Sequence, residues 1–295
     1  MPGSAALVWV CSSEDGDDGR LVSAQAYGVP LDDRALRYGD GIFETIRVFR
    51  GGLPFLAHHL TRLRSSLSLL QFPSFGLEDA QIAGRCLDLA QRNGIADGFV
   101  RLAVSRTGRA RGFVPPEPSG WRLLAETGPL DAEPQASRAM SCGFAPWRVD
   151  SSYPGARVKS SSALDKILAA QHAQRLGVDE LLFLNYRDEL VEGSRSNVFL
   201  VLGGEIHTPS LDAGPLPGIA RHIVIAQALR HGLVVREEPI PRPLLQNAQE
   251  MFLTNALRGV VPVRRLDQHA FAAPGPVTRQ VSMLYLEAMA ATRQG

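Results

Sequence analysis

Apolar and polar positions in the first half of the chain predict a small sheet with two helices. Apolar runs bounded by glycine or acidic turns are typical of strands, and five occur: residues 5–10, 21–29, 42–48, 99–105 and 121–127. Apolar residues recur with a helical period over residues 58–70 and 77–93, and the second segment stops before Gly94. We therefore expect a compact α/β domain here.

The second half predicts a larger sheet with helices. Strands are expected at residues 140–144, 180–185, 190–202, 205–209, 233–240 and 250–256. Helices are expected after Lys159 and at residues 219–231, 241–249 and 276–292. Prolines and small polar residues separate the halves. The predicted division is an N-terminal domain at 1–129, a linker at 130–136 and a C-terminal domain at 137–295.

Composition excludes several classes of partner. The chain has 295 residues, and 31 Lys+Arg against 30 Asp+Glu leave a net charge of +1, so no global field favours nucleic acid or membranes. A small-molecule substrate is expected. The odd number of scattered cysteines, the lack of a basic leader and the lack of a long apolar run predict a cytoplasmic protein. The histidines show no ligand-like spacing, which predicts no metal.

A segment around Lys159 is the first candidate for chemistry. We expect a short polar strand to end on Lys159, with Ser160, Ser161 and Ser162 as candidate N-caps of a helix. That helix carries Leu164, Ile167, Leu168 and Leu176 on one side. A cation ahead of a helix N-terminus is pushed toward its neutral, nucleophilic amine. A lysine before a helix is more often a solvated residue, so its role depends on other motifs.

Three further motifs suggest anion and acid chemistry. Arg106, Arg109 and Arg111 fall within six residues, which favours carboxylate binding, although an exposed basic loop is the alternative. Glu192 interrupts an apolar strand, where a paired surface position is the plainer interpretation. Pro217 and Gly218 precede a helix whose backbone N–H groups suit a phosphate, but many ordinary helices begin this way.

Taken in order, these motifs resemble those of the class IV, or fold-type IV, pyridoxal phosphate enzymes. The resemblance extends from residues 38–41 (YGDG) through 191–199 (VEGSRSNVF) to 260–263 (VVPV). The family includes branched-chain and D-amino-acid aminotransferases and 4-amino-4-deoxychorismate lyase. The resemblance implies a two-domain α+β or α/β fold like that of D-amino-acid aminotransferase, with a smaller N-terminal α/β domain and a larger C-terminal domain holding a β-barrel-like sheet. It also implies pyridoxal 5'-phosphate as cofactor and a homodimer.

The resemblance assigns roles to particular residues. Lys159 would be the catalytic lysine to which the cofactor is attached, and Glu192 would hydrogen-bond the pyridine nitrogen. Arg62 would bind the phosphate, together with backbone N–H groups of Ile219 and Ala220 and of Ala256. The chemistry agrees, because a carboxylate keeps the ring nitrogen protonated, and a guanidinium with a helix N-terminus suits a dianion.

Three features of the resemblance favour a lyase over a transaminase. Residues 105–113 (SRTGRARGF) look like the lyase pattern, and Gly112 and Phe113 break the Arg-x-His pair of D-amino-acid transaminases. Residues 254–257 (TNAL) look like the lyases' Asn-Ala-Leu, where transaminases usually carry a hydroxyl residue at the place of Ala256. The Gly-Gly-Asn-Tyr that follows the lysine in branched-chain transaminases is absent.

The implied reaction converts 4-amino-4-deoxychorismate to 4-aminobenzoate and pyruvate in folate biosynthesis. Arg111, ahead of Arg106, is the candidate to hold substrate carboxylates, with Asn255 as a further contact. Ser162 departs from the asparagine of many lyases, and Ala220 lacks a hydroxyl often found beside the phosphate. The alternatives are a class IV aminotransferase acting on branched-chain or D-amino acids, and a cofactor-binding protein without activity.

Overall fold

A computed structural model describes residues 6–14, 19–109, 111–130 and 138–292. The chain divides into two compact units, Met1–Glu133 together with Lys159–Ser162, and Pro134–Val158 together with Ala163–Gly295. The predicted linker at 130–136 lies outside the described residues except for Leu130, and the predicted domain limits stay predictions. The sequence division places Lys159 with the C-terminal half, whereas its segment groups with the first unit.

The first unit is an antiparallel sheet of five strands in the order β2-β1-β5-β4-β3 with three helices. Its elements are β1 (Leu7–Ser12), β2 (Arg20–Ser23), α1 (Arg34–Tyr38), β3 (Gly41–Val48), α2 (Leu56–Leu69), α3 (Asp79–Arg92), β4 (Gly98–Thr107) and β5 (Gly120–Pro129). Helix α2 packs against β3, and α3 packs against β1 and β5. Helix α1 is not in the sequence prediction.

Strand β3 places a carboxylate among the buried apolar side chains of this unit. Ile42, Glu44, Ile46 and Val48 alternate along the strand and are all buried. Alternating positions of a strand face the same side of the sheet. Glu44 therefore points into the same interior as the apolar residues, toward helix α2.

The second unit is built on a nine-stranded sheet. Eight strands run in the order β11-β10-β9-β12-β13-β6-β7-β8, and β14 pairs with β13. Its elements are β6 (Met140–Val149), α4 (Leu164–Leu176), β7 (Glu180–Asn185), β8 (Leu190–Gly193), β9 (Asn197–Leu202), β10 (Glu205–Pro209), α5 (Ile219–Arg230), β11 (Val235–Glu238), β12 (Glu250–Asn255), β13 (Gly259–Leu266), β14 (His269–Ala270) and α6 (Pro276–Ala291). The sheet curls into a half-barrel, so that β8 lies near β9 and β10. This agrees with the barrel-like sheet expected from the sequence.

Two predictions around Lys159 are wrong. The residues ahead of it form a 3-10 helix, Pro154–Arg157, rather than a strand. Helix α4 begins only at Leu164, with Ala163 as its N-cap and no side-chain capping bond, so none of the serines caps it. The serines instead belong to the first unit.

The apolar side of α4 is not the side that packs on the sheet. Four apolar residues of the helix are about half exposed or more: Leu164, Ile167, Leu168 and Leu176. The buried residues are Ala169 and Ala173, which pack in a cluster with Phe183. Small side chains let a helix backbone approach a sheet closely, and this explains why alanines face inward here.

The helices of the described ranges include none that is long and apolar enough to cross a membrane. The same residues contain no group of three or more His, Cys, Asp or Glu side chains arranged to hold a metal ion. Cys11, Cys86 and Cys142 are free thiols, and all three are buried.

Candidate active site

The segment carrying Lys159 is hydrogen-bonded to the start of β3. The N–H of Phe43 donates to the carbonyl of Lys159 at 2.9 Å, and the N–H of Ser161 donates to the carbonyl of Gly41 at 2.8 Å. The Lys159 ammonium lies 4.5 Å from the centroid of the Phe43 ring. Helix α4 begins only at Leu164, five residues after Lys159, and the influence of a helix dipole fades within one turn, so Lys159 does not stand at the helix N-terminus expected from the sequence. Its surroundings in the first unit are an aromatic ring and the cluster of α2.

That cluster joins Glu44, His59 and Arg62. The Arg62 guanidinium grips both oxygens of Glu44, with Nε to Oε1 at 2.7 Å and Nη2 to Oε2 at 2.7 Å. His59 Nδ1 lies 2.7 Å from the same Oε2. Burial alone would raise the pKa of Glu44, but the hydrogen bonds from His59 and Arg62 outweigh it, and the pKa is lowered. Glu44 is thus a buried carboxylate that stays charged.

His59 is a neutral member of this cluster. Burial lowers the pKa of His59, and the nearby cations of Arg62 and Lys159 act in the same direction against the attraction of Glu44. Since a carboxylate only accepts, Nδ1 carries the hydrogen. Glu44 and His59 are not among the site residues predicted from the sequence. The available signals were an acid at an inward position of β3 and a histidine three residues before Arg62 on one face of α2.

Arg106 is buried and held by protein acceptors at three nitrogens. Its Nε donates to Asp40 Oδ2 at 3.1 Å, and Nη1 and Nη2 donate to the carbonyls of Gln71 and Leu70 at 2.8 and 2.6 Å. Only 4% of the residue is exposed. These contacts use three of the five N–H donors of the guanidinium, and one N–H remains on each of Nη1 and Nη2.

Arg111 lies on an exposed loop that a buried arginine anchors. Arg34 donates from Nη1 to the carbonyl of Gly112 at 3.4 Å and from Nη2 to the carbonyl of Phe113 at 2.8 Å. Its Nε donates to Asp40 at 2.8 Å. Arg111 itself is exposed, and so is the Phe113 ring. The loop backbone is therefore fixed while the Arg111 side chain faces solvent.

In the second unit, both oxygens of Glu192 accept hydrogen bonds. The N–H of Leu216 donates to Oε2 at 2.9 Å, and the Lys166 ammonium donates to Oε1 at 2.9 Å. Burial works to lower the pKa of Lys166, but the charge of Glu192 outweighs it, and the pKa is raised. Lys166 was also missed from the sequence, although it and Lys159 are the two lysines of the whole chain.

The N-terminus of α5 has the character of an anion cradle. Its N-cap is Gly218, no side chain caps it, and Ile219 and Ala220 are buried. Asn197 Nδ2 donates to the carbonyl of Leu216 at 2.8 Å, and a Cβ at Gly218 would collide with Asn197 Oδ1. The loop ahead of α5 is therefore packed tightly against Asn197.

An orphaned hydroxyl lies on the same strands. Thr254 is the cross-strand partner of Asn197, so the two side chains share one face of the sheet. The buried Oγ1 of Thr254 finds no hydrogen-bond partner among the described residues. Uncapped N–H groups and an unsatisfied hydroxyl beside one loop fit a phosphate group.

The turn after β12 contains the remaining predicted residues. Asn255 Oδ1 accepts from the N–H groups of Leu257 and Arg258 at 3.1 and 2.8 Å, which closes the turn into β13. Ala256 lies within this turn and is half-buried. The side-chain oxygen of Asn255 is thus occupied in shaping the backbone.

The fold and these sites define a class of protein. Residues 41–266 match the family described as amino-transferase class IV, so the chain belongs to that family. Its cofactor is pyridoxal phosphate, and the expected fold is confirmed.

Known relatives differ in their named activities. A Methanocaldococcus jannaschii protein, provisionally named a branched-chain-amino-acid aminotransferase, is 32% identical over 253 residues, 85% of this chain and 86% of the relative. The structure of 4-amino-4-deoxychorismate lyase from Pseudomonas aeruginosa superposes with a TM-score of 0.80 at 29% identity, covering 95% of this chain and 98% of that one. The Escherichia coli branched-chain amino acid aminotransferase structure, with a TM-score of 0.87 at 24% identity over 97% of this chain and 95% of that chain, matches in fold.

Proposed function

We propose that this protein is a pyridoxal-phosphate-dependent lyase that converts 4-amino-4-deoxychorismate to 4-aminobenzoate and pyruvate in folate biosynthesis. The observation that carries the proposal is the turn at residues 254–257 (TNAL), which Asn255 closes and which has alanine at 256. The likeness to the Pseudomonas aeruginosa lyase structure supports it. The relatives named as aminotransferases support the alternative equally well.

The bound cofactor supplies an electron sink for the substrate carbon that bears the amine. Lys159 is proposed as the attachment site, and its Nζ then takes the proton from that carbon. Glu192 holds the proton on the pyridine nitrogen. Lys166 does not suit this role, because its ammonium is paired with Glu192 at 2.9 Å and that charge raises the pKa of Lys166, which keeps the amine protonated.

The phosphate is proposed to bind at the N-terminus of α5, through the N–H groups of Ile219 and Ala220, and at the N–H of Ala256. Arg62 adds its charge. Glu44 grips Nε and Nη2 of that guanidinium, which fixes its plane. Since Ala220 lacks a hydroxyl, the unsatisfied hydroxyl of Thr254 is a candidate to supply one.

Arg111 is proposed to hold a substrate carboxylate, since its side chain is exposed on an anchored loop. Arg106 and Asn255 remain proposed contacts. Both also contact the protein itself, because Arg106 braces the segment around Asp40 and Asn255 shapes the turn. A guanidinium matches a carboxylate through two parallel hydrogen bonds.

The elimination breaks one carbon–oxygen bond and needs no second substrate. The substrate loses a ring proton and the enolpyruvyl group, which leaves as pyruvate, and the ring becomes aromatic. Every atom of the substrate appears in 4-aminobenzoate and pyruvate. No oxidant or amino acceptor takes part.

The assay of function follows from this balance. Cofactor-loaded protein incubated with 4-amino-4-deoxychorismate alone should give 4-aminobenzoate and pyruvate in equal amounts. Borohydride reduction and peptide mapping should place the cofactor label on Lys159, and the only competing lysine is Lys166. Lys159→Ala should lose both label and turnover, and full turnover in that variant would contradict the proposal.

The second candidate is an aminotransferase acting on a branched-chain or D-amino acid, which the Methanocaldococcus jannaschii relative favours. Isoleucine or D-alanine together with 2-oxoglutarate as amino acceptor would then yield its keto acid and glutamate, and 4-amino-4-deoxychorismate would yield no 4-aminobenzoate. A protein that only binds the cofactor would give neither product.

We also propose that the protein is a homodimer. The four exposed apolar residues of α4 defined above support a surface that a second copy covers.

A further inference from the structure

Glu192, the proposed acid of the site, forms an ion pair with the half-buried side chain of Lys166. Lys166 Nζ lies 2.9 Å from Glu192 Oε1 and 3.7 Å from Asp165 Oδ2. The same ammonium lies 4.2 Å from the centroid of the Phe183 ring. The side chains of Lys166 and Glu192 are 32% and 12% exposed, so solvent screens this pair less than a surface pair.

The carboxylate of Glu192 keeps acceptor sites for one more donor. An ionised carboxylate offers about four lone-pair sites, and Lys166 and the Leu216 N–H occupy one on each oxygen. A third donor can still bind. If that donor is itself a cation, it meets the repulsion of Lys166, because both cations draw on the same negative charge.

We propose that Lys166 is a positioning residue that shares the charge of Glu192 and thereby weakens the grip of Glu192 on the protonated ring nitrogen of the cofactor. This inference rests on the proposed role of Glu192. Lys166 then sets how firmly the ring proton is held, and so how strongly the cofactor withdraws electrons. The amine thus tunes the cofactor through the acid without touching substrate.

A pair of cofactor analogues isolates this effect. We would measure the Kd of the apoprotein for pyridoxal 5'-phosphate and for its 1-deaza analogue, in which a C–H replaces the ring nitrogen. The Kd of the analogue divided by the Kd of the natural cofactor reports the contact at the ring nitrogen alone, because the phosphate and aldehyde are common to both. A larger ratio means a stronger preference for the natural cofactor. Lys166→Gln keeps a polar side chain and removes the charge.

We expect Lys166→Gln to increase the preference for the natural cofactor on the order of tenfold, as expected for removing one like charge from a partly buried site. Lys166→Met should act in the same direction and serves as a second variant if the first unfolds. Lys166→Arg keeps the charge and should leave the ratio within about twofold of the parent, as should Arg175→Gln, which removes an exposed charge from the same helix.

Glu192→Gln separates the two proposals. It should lower the ratio, because a neutral amide cannot form an ion pair with the protonated ring nitrogen. A ratio that Glu192→Gln leaves unchanged would overturn the proposed role of Glu192 and this inference with it. A ratio that responds to Glu192→Gln but stays constant or falls in Lys166→Gln and Lys166→Met would overturn the inference about Lys166 alone.

Discussion

Glu44 is a carboxylate placed in the apolar interior of the first unit, where an unpaired charge would be very costly. Two donors from Arg62 and one from His59 compensate that cost. Bidentate pairing with arginine is among the stronger hydrogen-bonding arrangements in proteins. Glu44 therefore fixes the position of Arg62, the proposed phosphate ligand, and has no proposed contact with cofactor or substrate itself.

The stability of this cluster should depend on pH through His59. Its pKa lies below the ordinary value of 6.5, so on acidification the unfolded chain takes up the proton first. The free energy of unfolding should therefore fall as the pH drops below 6.5 toward the pKa of the folded state. His59→Asn keeps an amide donor and removes the titration. Urea unfolding at a series of pH values should show a shallower decline for this variant.

His58→Asn is the matched control, since His58 is the exposed neighbour on the same helix. The comparison of variants is needed because burial raises the pKa of Glu180 in the second unit. That shift makes the free energy of unfolding rise, rather than fall, as the pH drops toward 4.5. Equal pH slopes for the parent and His59→Asn would contradict the assignment.

At the residue scale, the sequence suggested site residues only where a local motif carries them, and their roles stay predictions. Lys159, Glu192 and Arg62 each stand in a short recognisable stretch. Glu44 and Lys166 acquire their roles from partners 15 or more positions away, and no local pattern encodes such a contact. The signals that remained in the sequence were an acid at an inward position of a strand, for Glu44, and the rarity of lysine in this chain, for Lys166.

At the scale of elements, α1 acts as the anchor of the arginine loop. Asp33 caps it by accepting from the N–H of Leu36 at 3.0 Å, and Gly39 ends it with a φ of 69°. Arg34 then reaches from this short helix to the carbonyls of Gly112 and Phe113. The helix thereby positions the loop that presents Arg111.

Removing this anchor should release the loop. In Arg34→Met the two loop carbonyls and Asp40 lose a buried charged donor, a change that costs on the order of 3 kcal/mol in such settings. We expect trypsin to cleave after Arg111 at least about tenfold faster, because local opening exposes the backbone. Mass spectrometry of the early fragments measures this.

Arg37→Met offers the comparison. Arg37 is exposed on the same helix, and its guanidinium lies over the Tyr38 ring at 5.2 Å. Cleavage that accelerates equally in Arg37→Met, or not at all in Arg34→Met, would show that the loop does not depend on Arg34.

Helices were predictable where the apolar periodicity and the residues that start or end a helix agree, as for α2, α3 and α5. Helix α1 is too short to show a period, although Asp33 and Gly39 signal its ends. The inward face of α4 was unpredictable because close packing against Phe183 selects alanine over the larger leucines. Strand order also depends on contacts between distant segments, and no strand order was predicted from the sequence.

At the scale of the whole molecule, the proposed homodimer gives a measurable mass. Light scattering should report twice the chain mass of 32.0 kDa. The double substitution Ile167→Ser with Leu168→Ser should shift the population toward the single chain, because it removes apolar area from the exposed side of α4. Both residues are already exposed, so the chain should still fold.

Leu229→Ser makes a similar change on the exposed part of α5 and should leave the mass unaltered. A single-chain mass for the parent protein would rule out the homodimer. A stable dimer in the double variant would place the interface on another surface.

The backbone of Leu216 links the proposed acid Glu192 to the start of helix α5. Its N–H binds Glu192 and its carbonyl binds Asn197, two residues before the N-cap of α5. The N–H and the carbonyl belong to successive peptide planes that meet at the Leu216 Cα, so only the φ and ψ of this one residue lie between the contact to Glu192 and the contact to Asn197. If Glu192 and the N-terminus of α5 hold the two ends of the cofactor as proposed, this short link sets the span between them, and an analogue with a phosphate arm one methylene longer should bind more weakly.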